Sequence, residues 1–207
     1  MGLKITSSSS SGSNIEPGAW PAVCSGYVDL GTQTSNFSGE EKVAHKVMLL
    51  WDIAEQRVVV DGKSLPRRIS GRYTASLHEK ATFRKVIEGW LGRLKPEEVA
   101  SFDLDALVGK PCLLNIACKD KPDGKSFASV SSVMPLPRGM TRPALEVDAV
   151  RFVLVHEDGT VNTDTTGVAE WMCKIIHESA EWKAAHGIQT ERPKADNEVS
   201  QNTEVPF

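Results

Sequence analysis

The chain has 207 residues, with 24 Lys and Arg against 27 Asp and Glu for a formal charge of −3, and it is 40% hydrophobic and 25% charged. That length fits one domain with a short annex, and the composition is that of a chain able to bury a core. No run of about 18 apolar residues is present, which excludes a transmembrane helix, and the start MGLKITSSSSSGS shows no secretory pattern.

Residues 1–16 are Ser-rich and aperiodic and read as a disordered arm. From Pro17-Gly18 to Leu30, the apolar residues Trp20, Ala22, Cys24, Val28 and Leu30 alternate, which predicts a half-buried strand with a bend or bulge at Gly26. Val23, Ser25, Tyr27 and Asp29 fall on its other face. A polar loop over Thr32 to Glu41 leads to a second strand. There Val43, His45, Val47, Leu49, Trp51 and Ile53 form one face, and Ala44, Lys46, Met48, Leu50 and Asp52 the other. Two apolar faces suit a central strand of a curved sheet. Asp61-Gly62 signals a turn. A third strand over Arg67–Ser76 sets Ile69, Gly71, Tyr73 and Ala75 against Arg68, Ser70, Arg72 and Thr74.

Over Glu79 to Arg93 the period changes. Phe83, Val86, Ile87, Trp90 and Leu91 trace one face of a helix, with Gly92 near its end and Pro96 beyond. Phe102 to Leu107 predicts a further helical turn. Cys112, Leu114, Ile116 and Cys118 alternate in a fourth strand, and Phe127 to Met134 makes a fifth, joined by Lys121-Pro122-Asp123-Gly124. The order predicts a mainly β fold: a five-stranded OB-fold-like barrel with a helix between strands 3 and 4. Past Pro135-Leu136-Pro137, a strand over Ala149–His156 and a helix over Val168–Ala185 predict a C-terminal helical annex packed on the barrel. Trp171, Ile175, Ile176 and Trp182 share one face of that helix. The expected organisation is an arm at 1–16, a domain at 17–137, an annex at 138–187 and a disordered acidic tail at 188–207.

Charge is uneven along the chain. Residues 42–95 hold twelve Lys and Arg against five acids, net +7, and the rest of the chain carries −10. Such asymmetry points to a polyanionic partner. Enzyme signatures are missing: there is no GxxxxGK[ST], GxSxG or HExxH, and histidines 45, 78, 156, 177 and 186 stand apart. Asp103/Asp105 and Glu97/Glu98 read as helix caps. Cys24, Cys112, Cys118 and Cys173 form no CxxC pair and read as reduced thiols of a cytosolic protein. No catalytic residue, metal or cofactor is expected.

Single-strand binders need cations for phosphates and aromatic faces for bases. Lys46, Arg67, Arg68, Arg72, Lys80, Arg84, Lys119 and Lys121 are the candidate phosphate contacts, with Tyr27, Tyr73 and Phe127 as candidate stacking platforms. The final residues, Glu204-Val205-Pro206-Phe207, follow an acidic stretch with no cation after Lys194. They read as a tethered ligand: Phe207 fills an apolar pocket, and the acids also compete with DNA for basic surface.

That ending resembles the acidic, Asp-x-Pro-Phe-type tip of bacterial single-stranded DNA-binding proteins. The body is similar to phage-encoded single-strand-binding or replication-accessory proteins. The similarity lies in YVDLGTQ (27–33), HKVMLLWDI (45–53), RYTASLHEKATFRKVIEGWLGR (72–93), FDLDALVGKPCLLNI (102–116) and SVMPLP (132–137). The resemblance implies an OB-fold that binds single-stranded DNA during phage replication or recombination in the host cytoplasm. It implies too that the tip, Glu204, Val205, Pro206 and Phe207, recruits replication or recombination enzymes. Glu204 stands where Asp is usual, and only three acids follow Lys194, so a weaker or phage-tuned partner is implied. A strand-annealing protein and a protein-interaction module without nucleic acid are the alternatives. A homo-oligomer is compatible with each of these readings.

Overall fold

The structure, a computed structural model, describes residues 15–37, 40–120 and 126–188. Three long strands form its first half: β1 (Gly18–Phe37), β2 (Glu40–Val60) and β3 (Lys63–Thr74). After them come α1 (Thr82–Leu91), the short α2 (Pro96–Ala100) and a 3₁₀ turn at Leu104–Leu107. β4 (Pro111–Asp120), β5 (Ser126–Met134) and β6 (Val150–Phe152) follow, and then α3 (Glu170–His177) and α4 (Ala180–Ala185).

The fold is mainly β. The strands form one sheet in the order β3-β2-β1-β4-β5, antiparallel throughout, with β6 added parallel to β1. β1 is the shared member. Its Gly18–Val23 half pairs with β4, and its Val23–Phe37 half pairs with β2. The sheet is not closed: β3 and β5 approach each other without a ladder among the described residues, and α1 packs against both.

The alternation read in β2 holds. Val47, Leu49, Trp51 and Ile53 enter one core with Ile69, with Phe83, Ile87 and Trp90 of α1, and with Cys112, Leu114 and Ile116 of β4. Met48 and Leu50 face the other way, into a second core with Val28, Leu30, Phe152, Leu154, Met172 and Ile176. β6 and α3 therefore cover the face of the β1–β2 sheet that α1 does not.

β1 departs from its predicted phase. A bulge between Cys24 and Gly26 inserts one extra residue. Ala22, Cys24 and Tyr27 consequently enter the first core, and Val28 and Leu30 the second. A bulge moves every later side chain to the opposite face. Gly26 is required there: its φ is +146°, and a Cβ would collide with the Val150 carbonyl of β6. Gly31, at φ +67°, plays the same part further on. A Cβ there would come within 2.6 Å of Leu154 and 2.7 Å of Ser179.

The polar stretch predicted as a loop over Thr32–Glu41 is largely strand. β1 runs to Phe37 and β2 starts at Glu40, paired as a hairpin arm. Ladder hydrogen bonds need no apolar side chains, so periodicity is blind to such an arm. Asp61 and Gly62 do turn the chain, with φ +50° and +76°, the signature of a tight hairpin turn. The single helix predicted over Val168–Ala185 breaks into α3 and α4, and the buried Ser179 accepts the Trp182 N–H at 3.2 Å as the new cap.

Candidate functional site

The alternation of β3 puts Arg68 and Arg72 on one face and Arg67 on the other. Ile69 and Tyr73 point into the first core, and Arg68, Ser70 and Arg72 point toward α3 and the loop before it. Arg68 is already engaged. Its Nε and NH2 donate to Asp52 at 2.7 and 3.0 Å, and Ser25 donates to the same carboxylate at 2.8 Å. Asp52 is 2% exposed, and a carboxylate so buried needs this partner. Arg84 is held by Glu88 at 3.1 Å and by the Leu77 carbonyl at 3.2 Å. Arg67 donates to the Arg57 carbonyl, and Lys46 donates to Thr74 Oγ1 at 2.7 Å.

The remaining candidates are scattered. Lys80 is exposed in the turn before α1, and Lys119 is exposed on β4 opposite Phe127 of β5, which is 42% exposed. Tyr27 and Tyr73 offer no open face. Tyr27 is 8% exposed, and burial together with the negative charge of Asp105 raises its hydroxyl pKa. Tyr73 packs on Phe83 with ring centroids 5.8 Å apart, and burial pushes its hydroxyl up to about 12. Lys121 and the tip Glu204–Phe207 lie outside the described residues.

What does converge is a seam between β3 and α3. One hollow, about 190 Å³, is bounded by Leu50, Arg68, Ser70, Ala169, Trp171 and Met172. A second, about 490 Å³, is bounded by Thr34, Ser35, Arg72, Lys174, Glu178 and Lys183. Arg72 makes no ion pair or hydrogen bond among the described residues, and partial burial draws its pKa below the ordinary guanidinium value. Lys174 and Lys183 pair with Glu170 and Glu178 at 2.8 and 2.7 Å. Exposed pairs of this kind are weak and screened by salt, so both ammonium groups can turn to another anion.

Trp171 is 48% exposed at the first hollow. The sequence places it on the apolar stripe of its helix, among core residues. In the structure Met172 and Ile176, four apart, take the buried positions, and Trp171 turns outward. Neither it nor Lys174 and Lys183 belongs to the basic block at 42–95, because all three come from the net-acidic annex. A Trp three residues before a Lys on a short helix was the available signal.

A polar tie fixes the annex beside this seam. His45 Nε2 meets Asp29 Oδ1 at 2.7 Å, and its Nδ1 is 3.8 Å from Glu181 of α4. Glu181 also accepts the Thr32 N–H and hydroxyl at 2.8 and 2.6 Å, and Gln33 Nε2 donates to the Ile175 carbonyl at 2.9 Å. The hydrogen bond to Asp29 raises the His45 pKa. Burial pushes Asp29 up, but bonds from His45 and from the Gly31 and Leu154 N–H groups outweigh it and leave its pKa lowered.

The cysteines are free thiols. Burial lifts Cys24 to about 11 and raises Cys112 also. Among the described residues no three His, Cys, Asp or Glu side chains are arranged to hold a metal ion, and no helix is long and apolar enough to cross a membrane. No family model, curated protein or solved structure matches the chain.

Proposed function

We propose that the chain binds single-stranded DNA, without catalysing a reaction, along the β3–α3 seam. The observation that carries this reading is Arg72. It is a cation without a partner among the described residues, flanked by Thr34 and Ser35 and by Lys174 and Lys183, on the same seam as the exposed indole of Trp171. Phosphates would meet the three cations, and a base would stack on Trp171. A narrow seam with one indole favours an unpaired strand, whose bases are free to stack, over a duplex. The strand path β3-β2-β1-β4-β5, a bent β1 shared by two neighbours and a helix between β3 and β4 support a five-stranded OB-like barrel as its frame. On this reading the protein serves phage replication or recombination, and Glu204–Phe207 recruits the enzymes.

Titration of a labelled oligo-dT at several salt concentrations tests it. Three phosphate contacts give a slope of log K against log salt of about −2 on a single strand. Trp171→Ala should cost about 1–3 kcal/mol of binding. Arg72→Ala should make the slope shallower by about 0.7. No binding at low salt, or two variants indistinguishable from the parent chain, would sink the proposal.

A further inference from the structure

The two hollows of the β3–α3 seam differ in chemistry. The one around Arg72 carries free charge. The other, about 190 Å³, has room for one ring system and not for a length of chain. Leu50, Val150 and Met172 give it apolar walls, and Trp171 brings a half-exposed indole. Its polar side chains are Arg68 and Ser70, and among the described residues no carboxylate lines it.

Arg68 enters this hollow with its charge already balanced. Its Nε and Nη2 donate side by side to the two oxygens of Asp52, at 2.7 and 3.0 Å. A two-point contact of this kind fixes the plane of the guanidinium. It leaves the end edge, formed by Nη1 and the second Nη2 hydrogen, without a hydrogen bond among the described residues, on a side chain that is 30% exposed. A fork neutralised by a buried carboxylate has little charge to offer a phosphate. Its two parallel N–H groups suit a neutral ring with two adjacent acceptors. Guanine carries such an edge at O6 and N7. Cytosine carries one at O2 and N3 when it is unpaired, whereas adenine and thymine have no two acceptors side by side. The Ser70 hydroxyl, also without a hydrogen bond among the described residues, can add a third contact.

We infer that the hollow of Arg68, Ser70 and Trp171 reads one base of the bound strand. The base stacks on Trp171 while the end edge of Arg68 donates to two adjacent acceptors on its rim, so guanine or cytosine is preferred there to adenine or thymine. The inference rests on the single-strand reading and adds selectivity to it. Arg72, Lys174 and Lys183 hold phosphates whatever the sequence, and Arg68 chooses the base.

The test measures anisotropy with the full chain and labelled oligo-dT, either unmodified or carrying one central dG, dC, dA or 7-deazaguanine. A central dG, dC or both should bind about tenfold more tightly than unmodified oligo-dT or the strand with dA. The 7-deazaguanine strand, which lacks the N7 acceptor, should lose most of any gain shown by dG. Arg68→Lys can still neutralise Asp52 but presents no fork, so the affinity ratio to oligo-dT should fall close to one, with an unchanged thermal melt showing the fold intact. Ser70→Ala leaves the Asp52 pair untouched and should lower the ratio a few-fold. Equal affinity for all five strands would overturn the inference and leave the single-strand reading standing. So would a dG gain that 7-deazaguanine retains, or a gain that neither variant reduces. Absence of binding to every strand would overturn both.

Discussion

Arg68 and Arg72 stand two residues apart on one face of one strand, yet they do different work. Arg68 neutralises Asp52, which is buried beneath it and lies directly across the β2–β3 ladder. Arg72 has no such carboxylate among the described residues. Arg68→Ala should therefore act on stability first: breaking a buried pair costs roughly 3–5 kcal/mol, and the partial exposure of Arg68 puts the expected loss at the low end. Urea unfolding measures it. Asp52→Asn in the Arg68→Ala background should recover part of the loss, because the remaining buried group is then neutral. An unchanged midpoint in Arg68→Ala would remove the structural role assigned to it. The sequence shows two equivalent arginines, since charge is visible there and the facing carboxylate is not. The same limit hid Trp171, whose residue type and spacing suit a core position and whose exposure depends on where α3 ends.

At the scale of elements, the annex is joined to the sheet through close backbone approach at Gly26 and Gly31 and through the Asp29–His45–Glu181 cluster. The cluster makes that junction pH-dependent. The folded His45 pKa is raised, so its contribution is fully present below the ordinary imidazole value of about 6.5 and is lost as pH rises through the folded value. The folded Asp29 pKa is lowered, so its contribution is present above the ordinary carboxylate value of about 4 and is lost as pH falls through the folded one. Stability should peak between those two values. The urea midpoint of the parent chain should fall from pH 6 to pH 8, and that of His45→Gln should stay flat over the same interval. A parent midpoint that does not move would contradict the tie. Element type and order could be read from periodicity, as in β2, α1 and β4. The phase of β1 could not, because Gly26 announces a bulge without saying that Tyr27 changes sides. Nor could the hairpin arm, whose ladder bonds leave no pattern in side chains.

For the whole molecule, net charge conceals the arrangement. The +7 of residues 42–95 does not collect in one groove: Arg57, Arg68 and Arg84 are paired to acids, and Lys80 stands in a separate turn. The cations that do converge come from distant parts of the chain, Arg72 with Lys174 and Lys183 in one place and Lys110 with Arg138 and Arg142 in another. A linear reading cannot find such sets, since each is assembled by the packing of the 138–187 segment. That segment also covers the outer face of β1 and β2, so a strand approaching this side meets α3 as well as the sheet. The most direct measurement of the central claim is intrinsic tryptophan fluorescence during oligo-dT titration, with binding followed in parallel by the anisotropy of a labelled strand. Stacking on Trp171 predicts that the parent chain is quenched, and that Trp171→Phe still binds but loses most of the quench. Equal quenching in Trp171→Phe, or no rise in anisotropy for the parent chain, would contradict binding at the β3–α3 seam.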